Sequence, residues 1–199
     1  QSDEDRKMTA YHEAGHALVS HSMPHTDPVH RVSIVSRNRS LGDTQMVPER
    51  DKYQQTKSEL TEMMAAFLGG RAAEELVFGE LTSGAANDID RATRIARQMV
   101  VDLGMSNLGP VNLGPAWETT EWGRAMFEPT NLSPAMQAKV DGEIKKLVDE
   151  AYKVALSLLR KNRDKLDRVA EKLVAVETID GEEFAKLMRV KKAKPKEEA

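Results

Sequence analysis

The sequence predicts a mainly α-helical domain that carries one small β-hairpin. Three observations support that expectation. Apolar residues recur at three- and four-residue spacing over most of the 199 positions. Alternation of apolar and polar side chains is confined to one stretch near residue 30, and capping residues stand where the periodic segments begin and end.

The elements follow in order. Ser2 to Ser22 reads as a helix, with Ser2 as its cap, acidic residues in the first turn and Pro24 just past its end. Val29 to Val35 alternates, a polar turn follows at Asn38 to Ser40, and Leu41 to Val47 returns as the second strand of a hairpin. From Thr56 to Phe78, Leu60, Met63, Met64, Phe67, Leu68, Leu76 and Val77 recur at helical spacing until Gly79 closes the run.

After the small-residue turn Thr82 to Ala86, a helix is expected from Asn87 to Leu103, ended by Gly104. Gly104 to Thr130 holds both tryptophans and shows no sustained period, which predicts a long mobile loop of the kind that is often functional. Ser133 and Pro134 open a long amphipathic helix to Lys161. Asp164 to Ala175 is a further helix, and Thr178 to Val190 a short last one for which Thr178 and Asp180 compete as cap. Residues 191–199 are charged and poor in apolar side chains, so they are expected to be a disordered tail behind a single domain at 1–190.

Composition narrows the function. With 40% hydrophobic and 31% charged residues and a formal charge of -3, the chain reads as soluble and globular, without the basic excess of a nucleic-acid binder. No apolar run is long enough to cross a bilayer. The absence of cysteine excludes disulfides and thiolate ligands and fits a reducing compartment, so any bound metal must be held by nitrogen and oxygen. The chain opens at Gln1 without an initiator methionine or a signal sequence, and is expected to be a fragment of something longer. It contains no phosphate-binding G-x-x-x-x-G-K-[ST] loop, so nucleotide chemistry would belong to another part of the parent protein.

The most informative segment is His12-Glu13-Ala14-Gly15-His16. On a helix, positions 12 and 16 differ by about 40° of rotation, so both imidazoles can reach one small cation. Glu13 lies about 100° around the helix, beside an open coordination position and outside the ligand set. Such a site lowers the pKa of a coordinated water to about 7, and Glu13 would take the proton. The flanking Tyr11, Ala14, Gly15, Ala17, Leu18 and Val19 imply that the histidines enter the interior, where imidazoles and a carboxylate need partners. The fold class is therefore that of a helical zinc-peptidase domain with a small β-hairpin or sheet near the metal helix.

The third ligand must come from elsewhere. The extended pattern H-E-x-x-H-x-x-G-x-x-H would require glycine at 19 and histidine at 22, where this chain has Val19 and Ser22. His21 lies about 180° around the helix from His12 and cannot join the shell. A thermolysin-like site would draw a glutamate from a following helix, which makes Glu74 and Glu75 candidates. The stripe Ala92, Ile95, Ala96, Met99 and Leu103, extended back four residues, reaches Asp88. The residues alone leave Glu75 and Asp88 evenly matched.

The strings AYHEAGHAL, VHRVSI, LGGRAAEE and TSGAANDIDRAT, in this order and at these separations, resemble the peptidase domain of FtsH, the membrane-anchored ATP-dependent zinc protease family. The resemblance implies metal ligands at His12, His16 and Asp88, with Glu13 as catalytic base and one Zn2+ per chain. Glu75 then becomes a candidate carboxylate behind a ligating histidine, accepting its other ring N–H.

A strand beside the metal helix aligns substrate in that family, which points to Gly42, Asp43, Thr44, Gln45 and Met46. An exposed strand edge pairs with extended peptide whatever its sequence, whereas a small sheet that merely covers the core is the plainer reading. Asp43 stands where the resemblance implies a more neutral or aromatic residue.

The resemblance further implies a homohexameric ring and an AAA+ ATPase domain, N-terminal in the same full-length chain, that uses ATP. Unfolded polypeptides are the implied substrates, drawn from misassembled membrane and soluble proteins in membrane protein quality control. The implied place is the cytoplasmic face of a bacterial inner membrane or its organelle counterpart, with membrane contact only through the missing N-terminal region. A proteolytically silent assembly domain should have lost Glu13 or a ligand, and all four residues are present. A stand-alone secreted peptidase using Glu75 fits poorly with the missing signal sequence.

Overall fold

The computed structural model of the chain describes residues 2–35, 42–46, 54–114, 117–119, 125–127 and 132–189. The expected turn at 38–40, the ends of the second strand at 41 and 47, and the charged tail at 191–199 lie outside the described residues. Among those described are six α-helices, a three-stranded antiparallel sheet that packs on the first, fifth and last of them, and a separate two-stranded ladder. In chain order these are α1 (Asp3–His21), β1 (Val29–Ser33), β2 (Asp43–Met46), α2 (Lys57–Phe78), α3 (Ala86–Val101), β3 (Trp117–Thr119), β4 (Ala125–Phe127), α4 (Pro134–Lys161), α5 (Arg163–Val176), β5 (Thr178–Asp180) and α6 (Gly181–Arg189). None of the helices is long and apolar enough to cross a membrane.

Local chemistry accounts for the helix ends. Ser2 and Asp5 form a reciprocal capping box at the start of α1, and Thr56 and Glu59 form another at the start of α2. α2 stops at Gly79, whose φ of 62° is the left-handed conformation glycine adopts without a Cβ clash. Ser133 caps α4, and Pro134 occupies its first turn.

Two expectations at the C-terminal side differ from the structure. Residues 178–180 are not the first turn of the last helix but a strand, which completes a sheet of order β2-β1-β5. Ile179 pairs with Val32 and is buried, while Asp180 caps α6 by accepting the Glu183 N–H at 2.8 Å. A three-residue strand with one buried side chain has no alternation to read. Likewise, the segment expected as a loop without structure contains the β3-β4 ladder, with Trp117 opposite Phe127. Its strands are also three residues long.

α1 is the centre of the packing. Every residue from Thr9 to Ser20 is buried, with α2 and α5 against the helix and β1 and β2 crossing it. Leu18, Met64, Met99, Leu159, Leu166, Leu173, Ile179 and Phe184 are the largest side chains of the surrounding core. Where Gly15 meets Gly69, the α1–α2 contact is backbone against backbone. A Cβ at Gly15 would lie 2.4 Å from the Gly69 carbonyl oxygen, and one at Gly69 would lie 2.7 Å from the Gly15 carbonyl oxygen. Glycine at both positions lets the helices approach more closely than side chains permit.

Gly15→Ala is therefore expected to destabilise the fold by about 1–3 kcal/mol in urea denaturation, as forced overpacking does. Gly142→Ala, on an exposed turn of α4 where a Cβ meets nothing within 4 Å, should stabilise it by roughly 0.5–1 kcal/mol. A Gly15→Ala protein as stable as the parent would contradict this account of the crossing.

Candidate metal centre

The buried face of α1 carries His12 and His16 one turn apart, with ring centroids separated by 4.7 Å. Their Nε2 atoms lie 3.0 Å from each other. Asp88, in the first turn of α3, places Oδ2 at 3.3 Å from His12 Nε2 and 3.2 Å from His16 Nε2. Among the described residues these three side chains form the one group able to hold a metal ion through converging atoms. Ligand bonds of about 2.0–2.1 Å set the corners of a tetrahedron about 3.3–3.4 Å apart, close to the observed triangle.

The protons on the rings explain why a cation fits. His16 Nδ1 lies 2.8 Å from the carbonyl oxygen of Ala66, which can only accept, so Nδ1 carries the hydrogen. His12 Nδ1 likewise donates to Glu74 Oε1 at 2.7 Å. In the neutral rings both Nε2 lone pairs then face each other and the Asp88 carboxylate, an arrangement of acceptors that a divalent cation satisfies. Space is reserved for it. A Cβ at Gly70 would lie 2.5 Å from His12 Nε2 and 2.6 Å from His16 Nε2, so only glycine leaves the approach open. Two nitrogens and one oxygen would hold zinc with a fourth tetrahedral position left for water or substrate.

A proton competes for the same lone pairs. Burial by itself would lower the pKa of His12, but hydrogen bonds to Asp88 and Glu74 and the charge of Glu13 outweigh it and raise the value to about 10. Burial also opposes ionisation of Asp88, yet its bonds to His12 and His16 hold its carboxyl well below the usual carboxylate range.

The carboxylate behind His12 is not the expected one. Glu74, almost wholly buried, receives the His12 ring N–H and also accepts the Thr82 backbone N–H at 3.0 Å and the Thr82 hydroxyl at 3.0 Å. These bonds outweigh burial and lower its pKa. Glu75 points the other way and accepts the hydroxyl of Tyr152 on α4. Helical phase separates the neighbours, since Glu74 follows Gly70 by one turn on the small-residue face that meets α1. The pattern Ala66, Gly69, Gly70, Ala73 was the available signal for that face. The Ala66 carbonyl and Thr82 had no such signal, because a backbone acceptor and a turn hydroxyl look ordinary in sequence.

Glu13 is buried beside the pair, and its carboxylate meets β2. Thr44 Oγ1 lies 2.7 Å from Glu13 Oε2, and a Cβ at Gly42 would come within 2.5 Å of Oε1. Thr44 and Met46 face α1, where Met46 Sδ accepts the Ser20 hydroxyl at 2.8 Å. Asp43 and Gln45 face away, bonded to each other, and Arg31 lies 3.8 Å from Asp43. β2 pairs with β1 alone among the described residues, so its outer edge has no strand partner there. His21, excluded from the site by its phase, stacks edge-on against Phe184.

The model of peptidase family M41 matches residues 1–187. The chain is 49% identical over 187 residues to ATP-dependent zinc metalloprotease FtsH 1 of Thermoanaerobacter sp. (strain X514), covering 94% of this chain and 31% of that protein. It is 47% identical over 195 residues to FtsH 1 of Sphaerobacter thermophilus, covering 98% of this chain and 30% of the relative. Against FtsH of Thermotoga maritima the identity is 47% over 189 residues, with 94% and 31% covered. The chain spans about a third of the length of these curated relatives.

Two outcomes test the centre. Glu74→Gln should weaken zinc binding by about 10- to 100-fold in a chelator competition, while Glu75→Gln leaves it within twofold. The reverse order would relocate the supporting carboxylate. Because His12 must lose a proton that it holds up to about pH 10, zinc affinity should rise about tenfold per pH unit between pH 6 and 8. An affinity that levels off above pH 7 would mean an ordinary histidine.

Proposed function

Since the chain belongs to peptidase family M41, we propose that it is a zinc-dependent endopeptidase domain, with His12, His16 and Asp88 as metal ligands and Glu13 as general base. The observation that carries this reading is the convergence of two imidazole lone pairs and a carboxylate oxygen next to a second, separately held carboxylate, that of Glu13. When bound, zinc would supply Lewis-acid polarisation of a scissile carbonyl and a water acidic enough to react near neutral pH.

The chain's own residues divide the remaining work. Asp88, held ionised by its two histidine neighbours, offsets part of the cation's charge. The Ala66 carbonyl and Glu74 accept the Nδ1 hydrogens and so aim both Nε2 atoms inward, where the second proton of His12 would give way to a metal. Glu13 accepts a proton from the attacking water and returns it to the departing amine. The outer edge of β2, at Gly42 to Met46, is suited to pair with an extended peptide through backbone hydrogen bonds, which makes recognition tolerant of sequence. Arg31 and Gln45 engage the Asp43 carboxylate near that edge.

At the level of the whole protein, we propose that an AAA+ ATPase domain of the same chain feeds unfolded substrates to this domain; the relatives' names, ATP-dependent zinc metalloproteases, support the ATP dependence. We place the protein in a homohexamer anchored at the cytoplasmic face of a bacterial inner membrane, or in an organelle counterpart, where it degrades misassembled membrane and soluble proteins. The membrane anchor would lie outside the present chain.

Glu13→Gln should retain one zinc per chain while lowering cleavage of unfolded casein by about 10²- to 10⁴-fold, the usual size of a general-base contribution. Normal casein cleavage by the metal-loaded Glu13→Gln protein would overturn the assignment.

A further inference from the structure

We propose that Thr44 is a positioning residue for the general base, so that the strand suited to hold the peptide also aims Glu13. The inference rests on the reading of Glu13 given above and extends it to a residue outside the ligand set.

The Thr44 hydroxyl lies 2.7 Å from Glu13 Oε2 and 3.1 Å from the Glu13 backbone carbonyl oxygen. It has one hydrogen to give, and the shorter, charge-assisted contact to the carboxylate takes it. The hydroxyl therefore leaves the carboxylate free to accept a proton from water on its remaining lone pairs. A glutamate side chain has three rotatable bonds, and an unrestrained one spends most of its time away from a productive position. Here one oxygen is tied by Thr44.

Gly42 closes the other side. A Cβ at that position would lie 2.5 Å from Oε1, 2.7 Å from Cγ and 2.8 Å from Cδ of Glu13, so the strand backbone rests directly against the side chain. The carboxylate is thus held between a glycine that precedes β2 and a hydroxyl two residues further along the chain. Gly42, immediately before β2, and Thr44 within it stand two residues apart and both meet Glu13 on α1, while the outer edge of β2 runs alongside. A peptide added to the edge would be registered by the same residues that fix the base.

The test compares Thr44→Val, which keeps the shape and strand preference but removes the hydroxyl, with Thr44→Ser, which keeps the hydroxyl. In the zinc-loaded protein, with a quenched unfolded peptide as substrate, Thr44→Val should lower kcat by about 10- to 100-fold with KM within twofold, at unchanged zinc content. Thr44→Ser should recover most of that loss. Three results would overturn the proposal: Thr44→Val with the parent's kcat, a change confined to KM, or a Thr44→Ser protein as impaired as Thr44→Val. Glu13→Gln measured alongside separates the two levels. If it is fully active, the base assignment itself fails; if it is inactive while Thr44→Val is unimpaired, only the role of Thr44 fails.

Discussion

The contact between Gly15 on α1 and Gly69 on α2 is the constraint from which the rest of the site follows. With no Cβ on either residue, the two backbones meet at carbonyl distance. That approach brings the Ala66 carbonyl within reach of His16 and the Glu74 carboxylate within reach of His12. A wider crossing would leave both ring N–H groups without these acceptors, and the orientation of the imidazoles would be lost. Gly70 extends the same logic by one position, clearing the space in front of both Nε2 atoms.

Electrostatics then acts on what packing has assembled. Two carboxylates, Glu74 and Asp88, flank His12 on opposite ring edges, and both are held ionised despite burial, Asp88 by the two imidazoles and Glu74 by His12 and Thr82. The excess of negative charge and lone pairs in a mostly enclosed place attracts a cation, and a divalent metal would have to displace the second proton of His12 to occupy it. Glu13 stays outside this group, engaged by β2. Under the proposed roles, α1 carries both histidine ligands and the base, α3 supplies Asp88, α2 supports the histidines, and β2 engages Glu13.

Legibility in the sequence tracks how local each interaction is. The two histidines and Glu13 were readable because their relation is a helical phase angle within one turn. Asp88 was reachable from the stripe of its own helix, yet the residues alone did not separate it from Glu75, since that choice depends on which helix lies opposite α1. The support of His12 was assigned one residue away from its true position. Glu74 and Glu75 differ by about 100° around the helix, and only the small-residue face of α2 tells which one turns inward. β5 and the β3-β4 ladder escaped notice because three residues are too few to display a period.

Sequence by itself determined the helices, the capped starts of α1 and α4, the two hairpin strands and the pair of imidazoles on one helical face, because each of these depends on residues within a few positions of one another. Tertiary structure alone decided that Glu74 supports His12, that Thr82 in turn holds Glu74, that Thr44 meets Glu13, and that Ile179 completes the sheet. Those contacts join residues that are separated along the chain or indistinguishable within it, and their formation depends on the distance and rotation at which packed elements cross.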